Sequence, residues 1–425
     1  MITSAAFAGK SYAVYGLARS GLATVDALLS SGAKVMAWDE RAEARAALPA
    51  SVRIADPLAT SVYGYSGIVV SPGVPINRHP IAARARQAGV PLIGDVELFA
   101  QARAGLPSHK VVGITGTNGK STTTALIHHI LKMAGVPTTM GGNIGLPILA
   151  QEPLPDGGVY VLELSSYQID LTQSLDCDVS VLLNVTPDHL DRYDGIDDYA
   201  ASKARLFALQ TQTNVAVVAT DDDYTRAIAG QLGGERVLVS AQEVQGQSRW
   251  PALQGPHNAQ NVAVAVAVVQ ALGVDQQVIA DALVTYPGLP HRMERIAEKA
   301  GVLFVNDSKA TNPTSTAPAL AAYPAVHWIL GGRPKSDELD ACEPHLAHVR
   351  AAYTIGEAGP MFARLLRDKV EVSECEVLER AVAAAASQAQ PGETVLLSPA
   401  CASFDQFRDY ESRGEAFRAL VEALA

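Results

Sequence analysis

The chain has 425 residues, 48% of them hydrophobic and 18% charged, which is ordinary for a globular protein and, at roughly 100–200 residues per domain, predicts two to four domains. The formal net charge of -11, without a local basic stripe, argues against nucleic-acid binding. The four scattered cysteines do not fit a disulfide framework. Because there is neither a signal-peptide pattern nor a window of about 18 apolar residues, we expect a cytoplasmic protein without membrane insertion.

Short apolar runs alternate with helical patterns along the first third of the chain. The predicted strands are Ser11–Gly16, Lys34–Asp39 and Gly67–Val70, and a helix is predicted at Gly21–Ser31. This alternation predicts a parallel sheet with helices on its faces. The pair Gly94-Asp95 ends the pattern, so we place a first domain at residues 1–95.

A second alternating unit begins near Lys110. Its predicted strands are Lys110–Thr115, Val159–Leu164, Val179–Asn184 and Val215–Ala219, and its predicted helices are Lys120–Ala134 and Val262–Leu272. Continuous apolar runs of this kind are typical of strands buried on both faces. The Pro- and Gly-rich segment Thr285–His291 breaks the pattern. We therefore place a central domain at residues 96–289.

The last third alternates again and forms the predicted third domain, residues 290–425. Its predicted strands are Val302–Asn306, Trp328–Gly331, Ala352–Ile355 and Thr394–Ser398. The sequence thus predicts an α/β protein of three domains in series.

A glycine-rich turn between a predicted strand and a predicted helix is the strongest local signal. It consists of Gly116, Thr117, Asn118, Gly119, Lys120 and Ser121. Glycines allow backbone N–H groups to turn toward phosphate oxygens, and the start of the helix favours negative charge. Lys120 fits the β- and γ-phosphates of a nucleotide, and the Ser121 hydroxyl fits Mg²⁺. Ile114 stands where the usual pattern has its first glycine.

Polar side chains follow the next two predicted strands. Glu163 ends one strand, and the loop after the other, residues 184–192, contains His189. Ligands collect at the carboxyl ends of parallel strands, where a carboxylate can hold a nucleotide-bound Mg²⁺. Lys203 follows in a helical pattern, and its pattern alone indicates an exposed lysine.

Seven motifs in this order are similar to those of the Mur ligase family. They are TGTNGKS (115–121), ELSSYQ (163–168), NVTPDHLDRY (184–193), GPHNAQN (255–261), HRME (291–294), NDSKATN (306–312) and SPACASFDQF (398–407). They span nearly the whole chain. The resemblance implies Rossmann-like N- and C-terminal domains, binding UDP and the incoming amino acid respectively, around a central P-loop-type ATPase domain.

Within the family, the last two motifs favour the member that adds D-glutamate to UDP-N-acetylmuramoyl-L-alanine during cytoplasmic peptidoglycan precursor synthesis. The resemblance implies that ATP phosphorylates the substrate carboxylate. The amine of D-glutamate then attacks the acyl phosphate, and a tetrahedral intermediate collapses to product, with ADP and phosphate released. The expected partners are these two substrates, and we expect a monomer.

The resemblance also implies the catalytic residues Lys120, Glu163, His189 and Lys203. It places two Mg²⁺ ions near Ser121, Glu163 and His189, with Lys203 as a carbamate. Further nucleotide contacts are Asn258, Asn261, Arg292 and Asp307. The expected UDP-substrate contacts are Arg19, Ser20, Asp39, Glu40, Arg41, Ser71, Asn143 and His189. The expected D-glutamate contacts are Lys309, Thr311, Lys335, Ser403 and Tyr410, the last at a position where the family commonly has Phe.

Three alternatives stay open on the sequence alone. A NAD(P)-dependent dehydrogenase is suggested by the first strand–helix–strand unit with Asp39 after its second strand, although Ala18 replaces the middle glycine of that fingerprint. A non-catalytic relative is a second alternative, and it should lack one of the four catalytic residues. A sister ligase that uses another amino acid is the third.

Overall fold

The computed structural model describes residues 1–188 and 191–424, and in these residues the chain forms three sheets. The first sheet has five parallel strands in the order β3-β2-β1-β4-β5. They are β1 (Ser11–Tyr15), β2 (Lys34–Trp38), β3 (Arg53–Ile54), β4 (Gly67–Val70) and β5 (Leu92–Ile93). The helices of this part are α1 (Arg19–Ser30), α2 (Ala42–Ala46), α3 (Pro80–Ala88) and α4 (Asp95–Ala102).

The second sheet has six parallel strands in the order β11-β10-β9-β6-β8-β7. They are β6 (His109–Thr115), β7 (Thr138–Gly142), β8 (Gly158–Glu163), β9 (Val179–Leu182), β10 (Val215–Ala219) and β11 (Glu235–Val239). The helices in this stretch of chain are α5 (Lys120–Met133), α6 (Ser166–Asp170), α7 (Ile196–Ala208), α8 (Asp223–Gln231), α9 (Pro256–Ala271) and α10 (Gln276–Thr285). Every residue of β8 and β9 is buried, as their unbroken apolar runs predict.

The third sheet has the order β12-β13-β17-β14-β15-β16. Its strands are β12 (Glu294–Lys299), β13 (Val302–Asn306), β14 (Val326–Gly331), β15 (Val349–Ile355), β16 (Glu371–Glu376) and β17 (Thr394–Leu397), and its helices are α11 (Pro313–Ala322), α12 (Gly359–Leu366), α13 (Leu378–Gln388) and α14 (Tyr410–Ala423). All neighbours are parallel except β12 and β13. Ala300 and Gly301 join that antiparallel pair with φ of 49° and 77°, the left-handed geometry of a tight hairpin.

The predicted α/β fold with parallel sheets in three domains is confirmed. Contacts group the chain into two compact units, one of residues 1–243 and 260–283, the other of residues 244–259 and 284–425. The first unit contains two sheets because they share a hydrophobic cluster that includes Tyr12 and Val14 of β1 and Tyr160 and Leu162 of β8. The boundaries after residues 95 and 289 stay predictions.

The central strands of each sheet end where the sequence predicts ligand contacts. The residues at or just after these ends are Gly16, Asp39 and Ser71 in the first sheet, Gly116, Glu163 and Asn184 in the second, and Asp307, Gly332 and Ser398 in the third. Carboxyl ends of neighbouring parallel strands lie at one edge of a sheet, which is where α/β proteins bind ligands. Over the described residues, no helix has both the length and the apolar character that a membrane span requires.

Candidate active site

The glycine-rich turn joins β6 to α5 and depends on two glycines. Gly116 and Gly119 have φ of 152° and 83°, a region that side chains rarely adopt. A Cβ at Gly119 would lie 2.3 Å from Oδ1 of Asn261, and one at Gly116 would lie 2.9 Å from Cβ of Leu183. The turn is therefore closely packed against its neighbours. Its geometry leaves the start of α5 directed at the same edge as the ends of β8 and β9.

Two lysines converge on this turn. Lys120 Nζ donates to the carbonyl oxygens of Gly116 and Thr117, at 2.8 Å each, and Lys203 Nζ donates to the same Gly116 oxygen at 2.9 Å. Lys203 is only 1% exposed, and its ammonium lies 4.2 Å from the centre of the Tyr199 ring. Burial, followed by the charge of Lys120, lowers the pKa of Lys203 well below its usual value.

The local sequence pattern predicts that Lys203 is exposed, and this prediction is therefore wrong. Helix α7 buries Tyr199, Ser202 and Lys203, which puts Lys203 on the face that packs inward. A helical pattern rich in alanine does not distinguish its faces by polarity, so only the packing of α7 against the sheet decides where this amine lies.

Glu163 ends β8 as a buried carboxylate, 2% exposed. Asn143 Nδ2 donates to its Oε1 at 2.9 Å, whereas its Oε2 is buried and has no hydrogen-bond partner among the described residues. A buried carboxylate oxygen without a partner is costly unless a cation or donor compensates it. This orphaned oxygen fits an Mg²⁺ ligand at the edge that carries Ser121. Asn143, predicted as a UDP-substrate contact, therefore also orients Glu163.

The loop after β9 is attached to the glycine-rich turn. The backbone N–H of Asn118 donates to Asn184 Oδ1 at 2.8 Å, and Thr186 N–H donates to Thr117 Oγ1 at 3.0 Å. His189, predicted to bind the second Mg²⁺ and the UDP substrate, lies outside the described residues. The described part of this loop nevertheless begins beside the glycine-rich turn.

The predicted nucleotide residues of helix α9 fall in different compact units. Asn261 is 2% exposed, and Thr123 Oγ1 donates to its Oδ1 at 3.2 Å, so it braces helix α5 just behind Lys120. Ser121 is also buried. In the other unit, Asn258 Nδ2 donates to the carbonyl oxygen of Gln254 at 2.9 Å.

Asp39, at the end of β2, braces the first strand–helix turn. Its Oδ2 accepts the backbone N–H of Leu17 at 2.7 Å, and its Oδ1 accepts the backbone N–H of Arg41 at 2.9 Å and the Arg41 Nε at 3.1 Å. The hydrogen bonds from the Arg41 side chain are the largest cause that lowers the pKa of Asp39 to about 2. Asp39 and Arg41 are thus brought together, with Asp39 holding the turn.

Two other predicted UDP-substrate residues reach neighbouring loops. Ser71 Oγ donates to the carbonyl oxygen of Gly16 at 2.9 Å, and Arg19 Nη2 donates to that of Gly145 at 3.1 Å, on the loop that carries Asn143. Ser20 lies at the start of α1, just after the first strand–helix turn, and Glu40 lies two residues after the end of β2. Apart from His189, the residues predicted to contact UDP therefore lie in or near the loops that follow strands β1, β2, β4 and β7 of the first unit.

Asp307 follows β13 in the second unit and is buried, with 6% exposure. Ser398 Oγ donates to its Oδ2 at 2.7 Å, and Met293 N–H donates to its Oδ1 at 3.1 Å. Burial raises the pKa of this carboxyl to about 7, partly opposed by the bond from Ser398 and by the charge of Arg292. The charge of Arg292, the other predicted nucleotide contact in this region, therefore acts on the Asp307 carboxyl.

The predicted D-glutamate residues form two pairs. Lys309 Nζ lies 3.8 Å from the centre of the Tyr410 ring, and Lys335 Nζ donates to Thr311 Oγ1 at 3.2 Å. Ser403 is buried on the loop after β17, the strand between β13 and β14. The arrangement presents two ammonium groups beside hydroxyls and an aromatic ring, which fits a dicarboxylate.

Arg413 is a residue that the sequence reasoning missed. It is 1% exposed and donates to five oxygens, namely Oγ and the carbonyl of Ser308 and the carbonyls of Gly331, Cys401 and Ala402. It therefore ties together the loops after β13, β14 and β17. Its sequence, an arginine in a charged helix, gives no signal that separates it from an exposed one.

Comparison with known proteins gives matches over all three domains. The profile for the Mur ligase MurD-like N-terminal domain matches residues 10–94, that for the Mur ligase middle domain matches residues 114–250, and that for the Mur ligase glutamate ligase domain matches residues 291–401. Together these profiles cover most of the chain.

Curated relatives match the chain over its full length. A UDP-N-acetylmuramoylalanine--D-glutamate ligase of Novosphingobium aromaticivorans is 63% identical, with 100% of this chain and 97% of that protein covered. Proteins of the same name from Zymomonas mobilis and Sphingopyxis alaskensis are 60% and 61% identical, with 100% of both chains covered.

Solved structures with low identity share the fold. A MurF ligase from Thermotoga maritima in complex with ADP has a TM-score of 0.63 at 17% identity, covering 99% of this chain and 97% of its own. A UDP-N-acetylmuramate-alanine ligase, MurC, from the same organism has a TM-score of 0.60 at 17% identity, covering 97% and 99%.

Proposed function

Since the chain belongs to the Mur ligase family, we propose that it catalyses the ATP-dependent joining of D-glutamate to UDP-N-acetylmuramoyl-L-alanine. Relatives that are 60–63% identical over the full chain are named for this activity, which supports this substrate pair. The reaction supplies a peptidoglycan precursor, and we propose that it takes place in the cytoplasm with the protein acting as a monomer. The family assignment replaces the dehydrogenase alternative.

The proposed reaction has two steps. A carboxylate oxygen of the alanine residue attacks the γ-phosphorus of ATP, the bond to the β–γ bridging oxygen breaks, and ADP leaves. The neutral amine of D-glutamate then attacks the acyl carbon, the tetrahedral intermediate expels phosphate, and the amine loses a proton. Both steps bring anions together, so positioning and charge neutralisation dominate the work of the protein.

The observation that carries the proposal is the cluster of Lys120, Lys203 and Glu163 around the glycine-rich turn. Lys120, which shares the Gly116 oxygen with Lys203, is the cation for the γ-phosphate. Ser121 and the orphaned oxygen of Glu163 would hold one Mg²⁺, and His189 and Lys203 as a carbamate would serve the second. When bound, Mg²⁺ neutralises charge on phosphoryl oxygens.

The environment of Lys203 supports carbamylation. Its depressed pKa favours the neutral amine, whose lone pair attacks the carbon of CO₂. A bond forms between Nζ and this carbon, and a proton leaves to water. The product is an anion beside the Lys120 cation, so the two side chains attract each other once the carbamate has formed.

We propose that the two other groups of residues bind the two organic substrates. The turn braced by Asp39, together with Arg19, Ser71 and Asn143, receives the UDP portion. Lys309, Thr311, Lys335, Ser403 and Tyr410 receive D-glutamate, and Asp307 with Arg292 contacts the nucleotide. Lys335, whose ammonium reaches the Thr311 hydroxyl, is the proposed partner of a glutamate carboxylate.

Phosphate release with ATP, Mg²⁺ and UDP-N-acetylmuramoyl-L-alanine tests the proposal when D-glutamate is compared with L-glutamate, L-alanine, L-lysine and diaminopimelate. Turnover with D-glutamate alone is the expected result. Turnover with another amino acid would identify a sister ligase, and no turnover with any of them would favour a non-catalytic relative.

A further inference from the structure

Arg192 joins the two sheets of the first compact unit at their ligand-binding edge. Its Nη2 donates to the carbonyl oxygen of Gly73 at 2.8 Å and its Nη1 to that of Val74 at 3.2 Å. In return, Asn77 Nδ2 donates to the carbonyl oxygen of Arg192 at 2.8 Å. We refer to Gly73, Val74, Asn77 and Arg192 as the clasp.

The clasp continues into hydrogen bonds on both sides. On the first sheet, Ser71 precedes Gly73 by two positions and donates to Gly16 in the turn proposed for UDP. On the second sheet, the loop that ends in Arg192 begins at Asn184, which accepts the N–H of Asn118 in the phosphate-binding turn. The described residues at the two ends of this segment are therefore attached to the proposed nucleotide site, at Asn184, and to the proposed UDP site, at Arg192.

The neighbours of Arg192 hold it in one orientation. Its guanidinium lies 4.2 Å from the centre of the Tyr167 ring, and the Tyr167 and Tyr193 rings are stacked with centroids 6.2 Å apart. Tyr193 OH donates to Asp170 Oδ2 at 2.8 Å, which ties the residue after Arg192 to the end of α6. A planar guanidinium that stacks and donates to two carbonyls has a geometry that lysine does not reproduce.

We propose that Arg192 is a positioning residue that couples binding of the UDP substrate to binding of ATP. Because the clasp fixes Gly73 and Val74 relative to the loop anchored on Asn118, order imposed at one site reduces the cost of order at the other. The substrate carboxylate and the γ-phosphate must meet within bonding reach, so this coupling also serves the first chemical step. The identity of both ligands rests on the proposed function.

Coupling is measurable as the ratio of two dissociation constants for UDP-N-acetylmuramoyl-L-alanine, one without and one with a saturating non-hydrolysable ATP analogue and Mg²⁺. Isothermal titration calorimetry gives both. We expect the analogue to tighten binding in the wild type by about 5-fold or more, the lower end of typical coupling. We expect a ratio near unity for Arg192→Ala and intermediate ratios for Arg192→Lys and Asn77→Ala.

Arg205→Ala is the matched control. Among the described residues, the side chain of this exposed arginine on α7 donates to the carbonyl oxygen of Thr172, at 3.3 Å, and makes no hydrogen bond to the clasp. It should keep the wild-type ratio. Thermal unfolding of each variant separates loss of fold from loss of coupling, and the two milder variants remain informative if Arg192→Ala does not fold.

Three results would overturn the inference. A wild-type ratio of unity, or an unchanged ratio in folded Arg192→Ala, would remove the coupling role while leaving the ligase assignment in place. Absence of UDP-substrate binding to the wild type would instead defeat the proposed function, and this inference with it.

Discussion

Lys120 and Lys203 donate hydrogen bonds to one acceptor, the carbonyl oxygen of Gly116, at 2.8 and 2.9 Å. Two ammonium groups on one oxygen repel each other, which is the second cause, after burial, of the lowered pKa of Lys203. Replacing one of the two cations by an anion would relieve this repulsion. This relationship supports the two roles proposed above, carbamylation for Lys203 and phosphate binding for Lys120.

Removing the Lys203 amine should abolish dependence of the rate on CO₂. We expect wild-type activity to fall in CO₂-depleted buffer and to return with bicarbonate, whereas Lys203→Met should lose about 100-fold in kcat at every CO₂ level because it forms no carbamate. The depressed pKa means that protonation competes with carbamylation only at lower pH, so the response to CO₂ should weaken as pH falls. Lys132→Met, at an exposed position of α5, should behave as wild type. Full activity of Lys203→Met would contradict the carbamate.

Glu163→Gln should lower activity and raise stability together. The change keeps an oxygen for Asn143 but removes the charge of a buried carboxylate whose Oε2 has no described partner. We expect a drop of about 100-fold or more in kcat and a higher Mg²⁺ requirement. Thermal unfolding without Mg²⁺ should show a higher midpoint than wild type, because an uncompensated buried charge is lost.

Asn143→Ala supplies the comparison for that prediction. It leaves the carboxylate charged but removes the hydrogen bond that orients it, so its Mg²⁺ affinity should fall by about 10-fold with a smaller effect on kcat. A Glu163→Gln protein that is as active as wild type would exclude Glu163 from the metal site.

Gly119→Ala should disrupt the glycine-rich turn between β6 and α5. The new methyl would lie 2.3 Å from Asn261 Oδ1 at a position with φ of 83°. We expect ATP binding to fall below detection by calorimetry, with a loss of about 2 kcal/mol or more in the free energy of unfolding. Gly135→Ala is the matched control, since its φ is 73° but nothing lies within 4 Å of the added methyl. It should lose only about 1 kcal/mol and keep ATP binding; equal effects of the two would show that the contact with Asn261 is unimportant.

Asp307 should make stability depend on pH near neutrality. Its pKa rises from 3.8 to about 7 in the folded protein because of burial. A carboxyl whose pKa is raised by folding contributes stability that is fully present below its pKa in the unfolded chain and is lost as pH rises from there through its pKa in the folded protein. From about pH 4 to about pH 8, the free energy of unfolding of the wild type should therefore fall by a few kcal/mol relative to that of Asp307→Asn, as measured by denaturant unfolding.

Asp409→Asn is the control for that pH dependence. Hydrogen bonds from Ser412 lower the pKa of Asp409 to about 2, so its contribution is lost only as pH falls below the unfolded value of 3.8. Asp409→Asn should leave the slope of stability near neutral pH unchanged. The same slope in wild type and Asp307→Asn would exclude Asp307 as its source.

Lys335→Met should weaken the binding of D-glutamate selectively. The change keeps an unbranched side chain of similar length but removes the ammonium that reaches Thr311. A charged hydrogen bond is commonly worth about 10- to 100-fold in affinity. We expect KM for D-glutamate to rise by about that factor while KM for ATP stays unchanged. Lys369→Met, which removes an exposed partner of Glu343, is the control. An unchanged KM for D-glutamate would remove Lys335 from the pocket.

Contiguous features were predictable from the sequence. The glycine-rich turn lies within six residues between one strand and one helix, and β6 and α5 begin and end close to their predicted limits. Buried strands such as β8 and β9 carry continuous apolar runs, and the sequence places Glu163 at the end of one of these strands. None of the edge strands of the described sheets, β3, β5, β7, β11, β12 and β16, was predicted. The strands β3 and β5 have two residues each, and so short a run has no period.

The sequence by itself therefore determined the α/β class, the positions of the main strands and, through seven ordered motifs, the family. Only the tertiary structure decided the environments of single side chains. Lys203 and Arg413 have the local surroundings of surface residues in the sequence, yet both are 1% exposed. Arg192 meets Gly73 from more than a hundred positions away. The periodicity of a segment indicates which of its faces is buried. Desolvation, a shifted pKa and a shared hydrogen-bond acceptor depend instead on residues that are distant in the chain and come into contact only when the strands are ordered into sheets.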